Sequence, residues 1–384
     1  MQLRNFIRRH KWRLRPFKRL VLPMRKAQRF LVRFLRRPLT IESYAADYRG
    51  PSFCDLTEIY PAATIPQPPF PSQESSIELV SQPARVYNLR NIEFWAKYGG
   101  SVVTADHKLL ADLSPEVWGT ENHLIFSQLL LPKCQKLEGR TAIAVTPEAP
   151  GNYYHWLIDL LPRVALLHSI EFDFDRILIN GSHTDYERRS LQALGISPGK
   201  VVYVDRRNRF QIANAFIPSM DHSARAIAPW KIDCLRTLRD SIPVSASPGR
   251  GKIYVSRRRA AVRQIINESD FEEMLRRANF TVVELETKPW NEQVALFGAA
   301  EVVLAPHGAA LANCAFCRPG AVVAEIGTGI GYRPFYLQLA AAARLQYHFI
   351  EARPKNSDAN AFRAVENENM VLDIATLRDF VNRL

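Results

Sequence analysis

The sequence predicts an α/β protein: two doubly wound parallel sheets facing each other across a cleft, behind a basic N-terminal arm. Three observations predict it. Short apolar runs alternate with helical periodicities from about residue 153 to 241 and again from 252 to 351, the pattern of strand–helix–strand units. A Pro/Gly-rich break from Pro243 to Gly251 separates the two series. The formal charge of +13 over 384 residues sits almost wholly at one end.

Residues 1–40 hold fourteen Lys/Arg and no Asp or Glu, which leaves the rest of the chain one unit negative. A basic nucleic-acid-binding domain is therefore not expected. Within the arm, Met24, Ala27, Leu31, Phe34 and Leu35 share one helical face while Arg25, Arg29, Arg33 and Arg36 share another. That amphipathic pattern suits an anionic membrane surface. The arm lacks a signal-peptide core and contains no Ser, which counts against secretory and mitochondrial leaders. With 47% apolar and 23% charged residues the body is that of a globular protein. No run approaches the roughly 18 apolar residues of a membrane span. Five cysteines, only Cys314 and Cys317 close together, make neither a disulfide framework nor a zinc site. A cytoplasmic protein held peripherally at the inner face of the membrane is expected.

After the arm, five prolines between Pro61 and Pro71 mark residues 41–75 as an extended connector. Residues 76–243 form the first α/β domain. Its strands are expected at Ile77–Val80, Val102–Thr104, Leu124–Phe126, Thr141–Thr146, Arg176–Asn180, Val201–Val204 and around Phe210–Ile217. Its helices are expected at Tyr153–His168, Tyr186–Leu194 and Pro229–Ser241. Residues 252–351 form the second, with strands Lys252–Ser256, Thr281–Leu285, Glu301–Ala305, Ala321–Ile326 and Tyr347–Glu351. Helices follow at Ser269–Ala278, where Ser269 and Glu272 have capping-box spacing, then Pro289–Ala299, Gly308–Phe316 and Pro334–Ala343. Residues 352–384 are a helical tail.

Four places carry candidate chemistry. The 153–168 helix is apolar almost all round except for His155, Asp159 and Arg163, four residues apart on one stripe. Ionisable groups on a buried helix must face a partner or a cavity. A His/carboxylate pair there is what a general base needs, and equally what a local structural tie looks like. Pro162 is expected to kink the helix. Second, Ala305-Pro306-His307-Gly308-Ala309-Ala310 ends a strand and opens a helix with small residues, which lets phosphates approach free N–H groups. Third, Ser256-Arg257 ends the first strand of the second half, with Arg263 and Asn267-Glu268 beyond it. Arg at a strand's carboxyl end is placed for bidentate phosphate contacts, whereas Arg258 and Arg259 read as solvated loop charges. Fourth, Glu325 near a strand end could accept from ribose hydroxyls. Asp173-Phe174-Asp175 is set aside as a metal motif because it precedes a strand instead of ending one.

Taken together, Asn152-Tyr153-Tyr154-His155-Trp156 through Asp159 and Pro162-Arg163, then Ser256-Arg257 with Arg263 and Asn267-Glu268, then His307-Gly308-Ala309-Ala310-Leu311-Ala312-Asn313, then Phe316, Pro319-Gly320 and Glu325-Ile326, resemble glycosyltransferase family 61, over roughly residues 80–350. The resemblance implies a GT-B-like architecture with two Rossmann-like domains, the second holding a nucleotide-sugar donor and the first the acceptor. It implies an inverting, metal-independent transferase, without cofactor, acting on glycan or lipid-linked acceptors in capsular or other surface polysaccharide synthesis. Asp159 and His155 are then the candidates for the base. Arg257, Arg263, Asn267, His307, Gly308, Ala309, Ala310 and Glu325 are candidates for donor binding, with Arg163 and Asn152 for acceptor contact or support. The alternative is a non-catalytic α/β binding or assembly protein of the same process.

Overall fold

The computed structural model describes residues 31–32, 38–39, 54–67, 69, 76–115, 122–128, 130–169, 173–220, 226–243, 251–329, 333–355 and 367–384. The basic arm lies outside the described residues except at positions 31–32 and 38–39. The strands of the first half are β1 (Pro38–Leu39), β2 (Cys54–Tyr60), the paired β3 (Thr64–Gln67) and β4 (Ile77–Val80), β5 (Ala84–Trp95), β6 (Ser101–Val103), β7 (Leu109–Leu110), β8 (Cys134–Ile143), β9 (Arg176–Ile179), β10 (Val201–Tyr203) and β11 (Arg209–Pro218).

Nine of these make one mixed sheet in the order β1-β7-β6-β5-β11-β8-β9-β10, with β2 also on β5. β11-β8-β9-β10 run as the parallel set the sequence predicts and β1 pairs parallel with β7, while β5 pairs antiparallel with β2, β6 and β11. The parallel set arises because helical segments at 153–168 and at α3 (Asp185–Ala193) cross between β8, β9 and β10.

Other expectations need correction. Residues 41–75 are not simply a connector, because β2 joins the main sheet and Ile65 and Gln67 of β3 are buried. Leu124–Phe126 is no strand: Leu124–Ser127 is a 3₁₀ turn capped by His123, whose Nδ1 accepts from the Ile125 N–H at 3.2 Å. Glu268 takes the first cap position of the 269–277 helix, so Ser269 and Glu272 form no capping box; Glu272 pairs with Arg258 and Arg276 instead.

The second half follows its prediction closely. β12 (Gly251–Val255), β13 (Phe280–Val283), β14 (Ala300–Pro306), β15 (Val322–Gly327) and β16 (Gln346–Glu351) form an all-parallel sheet in the order β13-β12-β14-β15-β16. The direction of winding reverses between β12 and β14, which opens a crevice outside their carboxyl ends. A short β17 (Arg353–Pro354) and β18 (Met370–Val371) pair lies beyond.

Each helix forms where an apolar stripe meets a sheet. From the amino end these are α1 (Tyr153–His155), α2 (Leu161–His168), α3, α4 (Pro229–Ser241), α5 (Ser269–Arg277), α6 (Trp290–Ala299), α7 (Phe335–Ala343) and α8 (Ile374–Asn382). The tail helix α8 is packed through Leu377 and Phe380 into the core that Tyr254, Phe271 and Leu275 share. A larger core runs without interruption from Leu157, Leu161 and Val164 of the first half to Val255, Phe316 and Leu339 of the second. The two halves are also tied by polar contacts. Arg236 and Arg239 of α4 donate to the carbonyls of Cys317, Ala343 and Phe316. Among the described residues no helix is long and apolar enough to cross a membrane.

Candidate active site

The 153–168 helix carries one wall of the site, and Pro162 dictates its shape. Proline offers no N–H to the Ile158 carbonyl, and its ring crowds the turn before it. Residues Trp156–Leu160 answer by widening into a π-helical turn, in which the Leu161 N–H reaches the Trp156 carbonyl. The predicted kink is thus a π-turn, and Asp159 lies inside it. Such turns recur at functional sites. Asn152 caps the helix, its Oδ1 accepting from the Tyr154 N–H at 3.1 Å.

His155 and Asp159 meet, with Nδ1 2.7 Å from Oδ2. A residue that sequence reasoning missed completes the group: Glu148 Oε2 lies 2.9 Å from His155 Nε2. Burial lowers the affinity of the imidazole for its proton, but the two carboxylates outweigh it and hold the pKa above the ordinary histidine value. Lys231 of α4, almost wholly buried, places Nζ 3.9 Å from the other oxygen of Asp159. The 146–152 loop that presents Glu148 is fixed by Asn180, which accepts from the Thr146 N–H at 2.8 Å and donates to its carbonyl at 2.7 Å.

Arg163, third on the predicted stripe, turns away from that group. Its guanidinium donates to the carbonyls of Val145 (2.7 Å), Pro218 (2.9 Å) and Ser219 (3.3 Å) and to the Thr146 hydroxyl (2.9 Å). It therefore gathers the carboxyl ends of β8 and β11 beneath the site. Burial pulls it down to about 9.

The facing wall is built at the crevice of the second sheet. Arg257 follows β12 and His307 follows β14, so the reversal of strand order brings them to one lip. Arg263 joins them from a left-handed backbone position, φ 58°, uncommon for a residue with a side chain. Burial and the neighbouring Arg263 both push the Arg257 pKa below its ordinary value. Among the described residues the Nε atoms of Arg257 and Arg263 are buried without a hydrogen-bond partner. Gly308 is required less for its N–H than for its size. A β-carbon there would stand 2.1 Å from Arg257 Nη1, so the guanidinium lies directly on the loop. The segment Ala309–Phe316 is a 3₁₀ helix, not an α-helix.

His307 donates through Nδ1 to Glu325 Oε1, and Tyr347 OH donates to Glu325 Oε2 at 2.6 Å. Glu325 has no exposed surface, so its oxygens orient His307 from behind and do not reach a ribose directly. Asn267 is also spent elsewhere: its amide donates to and accepts from the Leu372 backbone at 2.9 and 3.0 Å. Arg258 and Arg259 are exposed, as expected, and also pair with Glu268, Glu272 and Glu284. Asp173 pairs with Arg140 and Lys200, a surface tie, and Cys314 within the 3₁₀ helix and Cys317 just after it are buried.

Between the walls lies a cavity of about 820 Å³. Of the predicted residues, Asn152, His155, Asp159, Arg163, Arg263, His307 and Ala309 line it; Arg257, Asn267, Gly308, Ala310 and Glu325 do not. Glu148, Tyr154, Trp230, Lys231, Arg333 and Phe335 line it without having been expected.

Residues 153–324 match the family model described as Glycosyltransferase 61. That stretch is a glycosyltransferase family 61 domain. No curated protein matches the chain. The matched stretch contains His155, Asp159, Arg257, Arg263 and His307, whereas Glu148, Asn152 and Glu325 fall outside it. The protein is a glycosyltransferase, and its reaction moves a sugar from a donor to an acceptor.

Proposed function

We propose that this cavity performs inverting, metal-independent transfer from a nucleotide-sugar donor to a glycan or lipid-linked acceptor in surface polysaccharide synthesis. In this reading the halves form a GT-B arrangement, with the donor on the second sheet and the acceptor on the first. One observation carries it: two carboxylates grouped on His155, Glu148 and Asp159, face Arg263 and His307 across one cavity, with the Arg257 guanidinium set behind that lip against Gly308. Inversion needs a single in-line displacement. The acceptor oxygen bonds to the anomeric carbon as the bond from that carbon to the diphosphate breaks, and Asp159 takes the hydroxyl proton. The arginines and His307 meet the charge that grows on the leaving diphosphate, which supplies the stabilisation a metal would otherwise give. Residues 1–40 hold the enzyme at the anionic inner face of the membrane.

The test is incubation with a panel of nucleotide sugars, with EDTA or with divalent metal, following donor cleavage and the anomeric configuration of the product. A retained configuration, or dependence on added metal, rejects this mechanism. Asp159→Asn that folds normally and transfers at the parent rate rejects the base. Deleting residues 1–40 should release the protein from membrane fractions.

A further inference from the structure

We propose that Glu148 is a positioning residue of the same site, fixing His155 from Nε2 so that Asp159 Oδ1 is left as the atom that receives the acceptor's proton. The inference rests on the base assignment above and adds a residue outside the stretch matched by the family.

Both ring nitrogens of His155 face carboxylate oxygens, Nε2 at 2.9 Å from Glu148 and Nδ1 at 2.7 Å from Asp159. A neutral imidazole has one N–H and could donate to only one of them, leaving a lone pair against the other oxygen. The geometry therefore calls for the imidazolium, with both N–H groups donating. A ring held in this way is no longer a base. It binds Asp159 through Oδ2 and fixes the carboxylate plane, so that Oδ1, on the Lys231 side, is the oxygen left for the acceptor.

Glu148 is built into this place. Its backbone is left-handed, φ 61°, an uncommon state for a side-chain-bearing residue, and strain of this kind concentrates at functional sites. The loop is pinned at one end by Asn180 on Thr146 and turns at the other through Gly151, φ 73°. Among the described residues, the charged and titratable groups that bear on His155 are Glu148 from this loop and Asp159 and Tyr154 from its own helix. Lys231 acts from α4 through Asp159, and the buried Arg163 lies one turn further on.

The experiment compares the full-length parent with Glu148→Gln and Glu148→Asp. The Glu148 side chain is 56% exposed, so Glu148→Gln should fold and melt as the parent does. The ring nitrogens are followed by NMR in ¹⁵N-histidine-labelled protein, with His155→Gln identifying the signal, across pH. His155 of the parent should be doubly protonated near neutral pH and should lose its proton at lower pH in Glu148→Gln. Transfer assays should show kcat reduced roughly 10- to 100-fold with donor KM unchanged, and partly restored by Glu148→Asp. Parent-like titration of His155 in Glu148→Gln overturns the proposal, as does parent-like kcat. A parent that cleaves no nucleotide sugar refutes the proposed function, while the titration still judges Glu148.

Discussion

Replacing Gly308 by alanine separates the size of this residue from its backbone. Its φ of 167° is ordinary extended backbone, so alanine introduces no strain at the position. The new β-carbon would sit 2.1 Å from Arg257 Nη1 and 2.8 Å from Cζ. Normal contact needs about 3.5 Å, so the guanidinium must retreat by roughly 1.4 Å. It is the free end of a flexible side chain, and it will yield before the loop does. Misplacing a binding group by about 1 Å can cost on the order of 10²-fold in rate. Gly308→Ala should therefore lower kcat/KM for the donor by roughly 10- to 100-fold while thermal unfolding stays near the parent's. The decisive assay is a double-mutant cycle with Arg257→Ala. If Gly308 acts through Arg257, the double variant is no worse than Arg257→Ala alone. Losses that add, or a Gly308→Ala enzyme with parent kcat/KM, would refute the cradle.

Arg163→Met should cost roughly 1–3 kcal/mol in urea unfolding, because it strips donors from the carbonyls of Val145, Pro218 and Ser219; a loss below about 0.5 kcal/mol would mean those strand ends hold without it. His123 makes stability fall in acid: burial pushes it from 6.5 down to about 4, so the unfolded chain takes up the proton first. The His123 part of the decline should run as pH drops from about 6.5 to 4 and reach at most roughly 3 kcal/mol, so urea titrations of His123→Gln should show a shallower fall, the rest coming from His168 and His348, which burial also lowers. His155 works in the opposite sense, its raised pKa giving stability that is full below the ordinary histidine value and is lost as pH rises through the raised one. In His155→Gln that alkaline-side decline should disappear.

The two halves were legible in the sequence to different degrees, for physical reasons. In the second, each strand is a short run of period-breaking apolar residues set between helices, and all five appear within a residue or two of expectation. In the first, the long strand β5 went unread. Its alternation is broken at Tyr87 and again at Asn91, whose left-handed φ of 53° marks an irregularity, so period-2 counting fails across it. The site shows the same division. His155, Asp159, Arg163 and His307 could be found because buried ionisable groups stand out on apolar elements. Glu148 could not, since it looks like any acidic residue in a Pro-flanked loop and meets His155 only through a left-handed turn. Glu325 was placed one layer too far forward. It is the fourth residue of β15, between neighbours on both sides, and its side chain stays beneath His307.

The walls of the cavity therefore owe their positions to different kinds of structure. Arg257 and His307 are brought together by topology: any sheet wound in the order β13-β12-β14-β15-β16 delivers the ends of β12 and β14 to one crevice. Substitutions elsewhere in that half can weaken the lip without scattering it. The anionic wall has no such guarantee. His155 and Asp159 meet on a π-turn that exists because Pro162 cannot complete an α-helical bond, and Glu148 reaches them from a strained loop held by a single asparagine pair. Small changes at Pro162, Asn180 or Gly151 can move a carboxylate without touching it. Distant substitutions that impair transfer while sparing donor binding are thus expected to fall around the first sheet, and those that impair donor binding to fall at the residues of the lip itself.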